Sequence, residues 1–173
     1  GFKTVPSAVL GANDNTVLDM AAAYGTFANN GVYTEPTLVT RVVDAAGDIL
    51  YQHLPEQRKV LEPSQAHAVT TALEGVLTSG TASGNGIGRP AAGKTGTTQD
   101  ETDAWFVGYT PDLVAAIWVG YATPIYDSRS PRGRLRLVGR TGGRLTAPVW
   151  AKFMRAALEG SEPLQFGGGE DGG

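Results

Sequence analysis

The sequence predicts an α+β fold, an antiparallel sheet flanked by helices. Two apolar runs, Ala104-Trp105-Phe106-Val107 and Leu113-Val114-Ala115-Ala116-Ile117-Trp118-Val119, bracket the turn residues Thr110-Pro111-Asp112. That is the pattern of two adjacent antiparallel strands buried in a sheet. Three further stretches repeat apolar residues at helical spacing. A length of 173 residues, 41% apolar and 18% charged, fits one globular domain or a large piece of one, and not a disordered chain.

The elements follow in order. Residues 16–29 read as a helix: Thr16 and Asp19 fit a capping box, Val17, Met20, Ala21, Tyr24 and Ala28 recur on one face, and Asn30-Gly31 is a stop. Residues 38–43 and Ile49-Leu50-Tyr51, around Ala46-Gly47-Asp48, read as a hairpin. Glu62-Pro63-Ser64 opens a second helix with Val69, Leu73, Val76 and Leu77 on one face, and Gly80 closes it. A glycine-rich stretch covers residues 80–93. A third helix is expected from Thr146, with Pro148 tolerated in its first turn and a stripe of Trp150, Phe153, Met154, Ala157 and Leu158 on the sheet. The tryptophans Trp105, Trp118 and Trp150 are expected in the core. Residues 1–160 form the expected domain piece, and residues 161–173, with five glycines from Gly167 onward, a flexible tail.

Composition excludes several classes. The absence of cysteine removes disulfides, thiol chemistry and Cys-based zinc sites, and two histidines alone make no His-rich metal site. No apolar run approaches the roughly 20 residues that cross a bilayer. The opening residues lack the apolar core of a signal peptide. The net charge of −3 hides an asymmetry: residues 128–158 hold Arg129, Arg132, Arg134, Arg136, Arg140, Arg144, Lys152 and Arg155 and no acid. The simpler reading is a solvated surface loop. An attraction to anionic polymer or lipid is the sharper alternative. No aromatic residue lies between Arg129 and Arg144, which argues against single-stranded nucleic acid.

One motif has two readings. Gly88-Arg89-Pro90-Ala91-Ala92-Gly93-Lys94-Thr95 matches G-x-x-x-x-G-K-[ST], the phosphate-cradling P-loop. That chemistry needs an apolar strand leading in and a helix starting at the lysine. Here the lead-in is polar, and Thr95-Gly96-Thr97-Thr98 follows with no helical period. The other reading is a Lys-Thr-Gly motif on a strand, a mark of penicillin-binding proteins and class A β-lactamases.

The tripeptide alone is weak evidence, but its surroundings are specific. The blocks MAAAYGTFANNGVYTEP, RPAAGKTGTTQDETDAWFVGYTP and GGRLTAPVWAKFM occur in the order seen in class A penicillin-binding proteins. From about Ala8 to Leu158 the chain resembles the C-terminal part of their transpeptidase domain, of an actinobacterial, bifunctional type. The resemblance implies a β-lactamase/transpeptidase-like fold, incomplete in this chain.

It also implies a chemistry for each residue of the motif. The family's substrate is a peptidoglycan stem peptide ending in D-Ala-D-Ala, and β-lactams mimic it. Lys94 would supply the positive field for the terminal carboxylate, and the hydroxyls of Thr95 and Thr97 would hydrogen-bond it. Gly96, without a side chain, would let the substrate backbone lie along the strand. The Thr97 N–H would be half of an oxyanion hole. The family requires no metal and no organic cofactor, and works on the extracytoplasmic face of the bacterial membrane, anchored by a segment outside this chain. Nucleic acid is not an expected partner.

One departure is large. No serine in the chain is followed three residues later by lysine, so the S-x-x-K nucleophile is absent. Ser83-Gly84-Asn85 spells S-x-N but stands just before Lys94, where the family has it far upstream; it reads as coincidence. The nucleophile is therefore expected from an upstream segment, as part of the same chain or as a second one, and this fragment alone is expected to be inactive. Among other polar residues, His53 is expected to be exposed and His67 to be no ligand. Asp100, Glu101 and Asp103 could form a cation site but read better as a polar turn, with Asp103 bonding backbone. A β-lactamase, a β-lactam sensor domain and a P-loop nucleotide binder are the competing readings.

Overall fold

A computed structural model of the chain describes residues 13, 15–98, 101–121, 137 and 139–167. Helix α1 (Val17–Ala28) begins as its sequence dictates: Thr16 Oγ1 accepts from the Asp19 N–H at 3.1 Å, and the Thr16 N–H donates to Asp19 Oδ2 at 3.3 Å. It ends at Asn30 and Gly31, both at positive φ. Gly31 is doubly required, because a Cβ there would also lie 2.3 Å from the Leu61 carbonyl oxygen. Strand β1 (Val32–Thr34) then pairs antiparallel with β4 (Gln57–Lys59). Between them β2 (Arg41–Val43) and β3 (Ile49–Gln52) form the expected hairpin, with an irregularity at Val42 and Val43. Every residue of that hairpin is exposed.

Helix α2 (Pro63–Thr78) starts with proline in its first turn, and Gln65 Oε1 accepts from the Glu62 N–H at 2.9 Å. Its fully buried residues are Ala66, Thr70 and Leu77, whereas Val69, Leu73 and Val76 are half-buried. Strands β5 (Ala92–Thr97), β6 (Asp103–Tyr109) and β7 (Val114–Gly120) make an antiparallel sheet in that order. Lys94 stands opposite Val107, Gly96 opposite Trp105, and Phe106 opposite Ile117.

Alternation along β6 divides the helices between the two faces. Phe106 and Gly108 meet α3 (Gly142–Ala157): the Phe106 and Trp150 rings lie 5.0 Å apart, and Trp150 Nε1 donates to the Gly108 carbonyl at 3.0 Å. Tyr109 faces the other way, against Tyr24 of α1 and Thr70 of α2. The loop after α2 folds Ala82, Ile87 and Ala91 onto the same core as Leu77, Phe106, Trp150 and Met154.

The structure corrects three expectations here. Helix α3 starts at Gly142, not Thr146, so Pro148 lies inside it. Its buried stripe is Gly142, Thr146, Ala147, Trp150, Ala151 and Met154, followed by Leu158, while Phe153 is half-exposed and Ala157 exposed. Small residues, weak in hydrophobic signal, let the helix lie close to the sheet. Of the three tryptophans only Trp150 is fully buried; Trp105 and Trp118 pair on the opposite face at 6.3 Å and stay partly exposed. Within the expected tail, Phe166 stacks edge-on against Tyr109 at 5.6 Å, and Arg89 Nη2 donates to the carbonyls of Leu158 and Ser161, each at 2.9 Å. Residues 168–173 lie outside the described residues.

Candidate active site

The Lys-Thr-Gly motif occupies the middle of β5, an outer strand of its sheet among the described residues. A strand there, and no helix start at Lys94, removes the geometry a P-loop needs. The first half of β5 is anchored, with Ala92 and Gly93 buried; Lys94 and Thr97 are exposed, and Thr95 and Gly96 are half-buried. Backbone direction follows from one bond: the Thr98 N–H donates to the Asp103 carbonyl at 3.2 Å, toward β6. Extended backbone alternates its polar groups between edges. The N–H and C=O of Thr95 and Thr97 therefore point to the open edge. Consistently, Lys94 Nζ reaches round that edge to the Thr95 carbonyl at 2.9 Å.

Two elements distant in sequence hold the motif. The N–H of Gly142, at the start of α3, donates to Thr97 Oγ1 at 3.1 Å. Thr81, in the turn after α2, places its hydroxyl 2.8 Å from Thr95 Oγ1. Gly96 also has a packing reason to be glycine, since a Cβ would sit 3.0 Å from the Trp105 Cβ. Behind Trp105, the Trp118 indole N–H donates to Asp103 Oδ1 at 2.9 Å, and Thr102 Oγ1 donates to Asp103 Oδ2 at 2.8 Å. Asp103 thus bonds side chains, where backbone was expected. Asp100 lies outside the described residues. Glu101 takes a positive φ and accepts from the Leu137 N–H.

The Asn85 amide donates to the Ala82 carbonyl at 3.0 Å, closing a turn. His53 is half-buried, not exposed, and Tyr51 OH lies 3.4 Å from its Nδ1. His67 lies on α2, and no group of acidic and histidine side chains able to hold a metal occurs among the described residues. Of the basic segment, Arg140, Arg144, Lys152 and Arg155 are described and exposed, and Arg129, Arg132, Arg134 and Arg136 lie outside the described residues.

The open edge among the described residues thus carries one ammonium, the hydroxyls of Thr95 and Thr97 and outward N–H groups. Comparison with known proteins decides its family. A family model described as the penicillin-binding protein transpeptidase domain matches residues 10–136. The chain belongs to the penicillin-binding protein transpeptidase family. Penicillin-binding protein 1A of Aquifex aeolicus is 36% identical over 155 residues, covering 89% of this chain and 20% of that protein. Its counterpart in Mycolicibacterium smegmatis is 35% identical, covering 91% and 20%. The chain thus spans about a fifth of these relatives. The structure of PonA1 from Mycobacterium tuberculosis in complex with penicillin V superposes with a TM-score of 0.76 at 34% identity, covering 96% of this chain and 46% of that one. The part of the transpeptidase fold expected from the motif blocks is therefore present, with its Lys-Thr-Gly strand at the sheet edge among the described residues.

Proposed function

We propose that this chain forms one wall of a D,D-transpeptidase active site, the wall that grips the acyl donor. The reading rests on the β5 edge, where Lys94, Thr95 and Thr97 present charge, hydroxyls and N–H groups to one side. A stem peptide ending in D-Ala-D-Ala lies antiparallel to β5 as an added strand. Its terminal carboxylate meets the Lys94 ammonium and the hydroxyls of Thr95 and Thr97. Because Gly142 donates to Thr97 Oγ1, the Thr97 proton is free to point at the carboxylate.

The serine comes from a segment outside this sequence. Its oxygen attacks the carbonyl of the penultimate D-Ala, and the Thr97 N–H stabilises the oxyanion that forms. Such a donor contributes roughly 3–4 kcal/mol in the transition state. Terminal D-Ala leaves with a proton, and an amine of a second stem peptide displaces the serine, completing the cross-link. A β-lactam enters by the same contacts and stops at the ester; the PonA1 complex with penicillin V supports that ligand class. The work is placed on the extracytoplasmic face of the membrane, by an anchor outside this chain; no helix among the described residues is long and apolar enough to cross a bilayer.

The test is labelling with a fluorescent penicillin. Residues 1–173 alone should take up no label, and the full-length protein should be labelled on a serine outside this segment. Covalent label on a serine within residues 1–173 would overturn the reading.

A further inference from the structure

Thr81 belongs to none of the motif blocks, yet it touches the motif. It lies in the turn closing α2, where the Ala82 N–H donates to the Val76 carbonyl at 3.0 Å and Ala82 itself is buried. On its other side the N-terminal turn of α3 packs so closely that a Cβ at Gly143 would lie 2.0 Å from the Thr81 carbonyl oxygen. The Thr81 backbone is thus held from both sides, although its side chain is exposed. From that fixed point its hydroxyl oxygen stands 2.8 Å from Thr95 Oγ1. The Thr95 methyl lies 3.7 Å from the position of a Gly143 Cβ, beside the same turn of α3 that packs on Thr81.

We infer that Thr81 is a positioning residue for carboxylate binding, acting through Thr95. This rests on the reading that the β5 edge binds the acyl donor's carboxylate. Two hydroxyls in contact share one hydrogen bond in either of two directions. A carboxylate has no proton to give, so its arrival selects the direction in which Thr81 donates to Thr95 and Thr95 donates to the anion. The first bond polarises the second, and each strengthens the other. Contact with Thr81 also holds the Thr95 side chain in one rotamer before substrate arrives, so less freedom is lost on binding. Without Thr81, the Thr95 hydroxyl loses the contact that selects this rotamer.

The experiment uses the full-length protein and two probes, a penicillin and its methyl ester, which lacks the anion. Thr81→Val and Thr81→Ala should slow acylation by the penicillin about fivefold, the loss of a neutral hydrogen bond. They should leave the rate with the ester unchanged. Thr81→Ser should restore the rate with the penicillin. With Thr95→Val already in place, Thr81→Ala should cost nothing further. Thr81→Ala removes only exposed atoms, so it keeps the test available if Thr81→Val fails to fold. Equal slowing with both probes, or full activity of both Thr81 variants, overturns the inference. Lys94→Ala serves as the control: if it leaves penicillin acylation unchanged, the site reading itself has failed, and not the role of Thr81.

Discussion

The backbone N–H of Gly142 donates to the Thr97 side chain at 3.1 Å, joining residues 45 positions apart. That bond seats the N-terminus of α3 on the strand carrying the Lys-Thr-Gly motif. Gly142 has no room for a side chain: a Cβ would lie 2.2 Å from the Trp105 carbonyl oxygen and 2.7 Å from that of Gly96. Gly142→Ala should therefore push α3 off β5 and destabilise the fold by about 1–3 kcal/mol, the usual cost of overpacking. Thermal unfolding of the full-length protein measures the loss, and penicillin acylation should slow in parallel. An unchanged melting temperature would mean the helix start adjusts without strain.

Lys94 should behave differently. Its side chain is exposed and bonds only the Thr95 carbonyl among the described contacts, so Lys94→Ala should leave the melting temperature within about a degree or two. Acylation by penicillin should slow at least about tenfold, or 1.4 kcal/mol. Stopped-flow acylation with calorimetry on the same samples separates the two effects.

Tyr109 carries a pH dependence. Burial pushes its phenol up to about 12 from 10.0; the charges of Tyr24 and Glu74 act in the same direction, and the hydrogen bond with Thr70 opposes them. The folded pKa lies above the unfolded one, so Tyr109 contributes fully below pH 10, and the contribution disappears as pH rises through 12. Tyr109→Phe should unfold at lower temperature at neutral pH, through loss of the Thr70 bond. Between pH 10 and 12 it should lose stability less steeply than wild type. Equal slopes would show that other groups govern that window.

Trp150 is the largest fully buried side chain among the described residues, packed on Phe106 and bonded to the Gly108 carbonyl. Trp150→Ala should cost about 3–5 kcal/mol, and Trp150→Phe less. Chemical denaturation gives the value. A loss under 1 kcal/mol would mean the α3 interface repacks.

Local signals made most elements legible. The Thr16 and Asp19 pair announced α1, Glu62-Pro63 announced α2, and the two apolar runs announced β6 and β7, because caps, proline and periodicity act within a few residues. The start of α3 was missed because Gly142 and Gly143 carry no helical preference; close packing on Trp105 and Thr81 holds them there. Phe153 looked like core by hydrophobicity, while Ala147 and Ala151, with little hydrophobic signal, are what the sheet covers.

By itself the sequence determined the class of fold, the Lys-Thr-Gly strand and the family, since each is written in contiguous residues. The tertiary structure alone decided what surrounds the motif. Thr81 at Thr95, Gly142 at Thr97 and Trp105 beneath Gly96 come from three different elements. Their juxtaposition depends on how α2, α3 and β6 pack, and no local preference encodes a hydrogen bond between residues far apart in the chain.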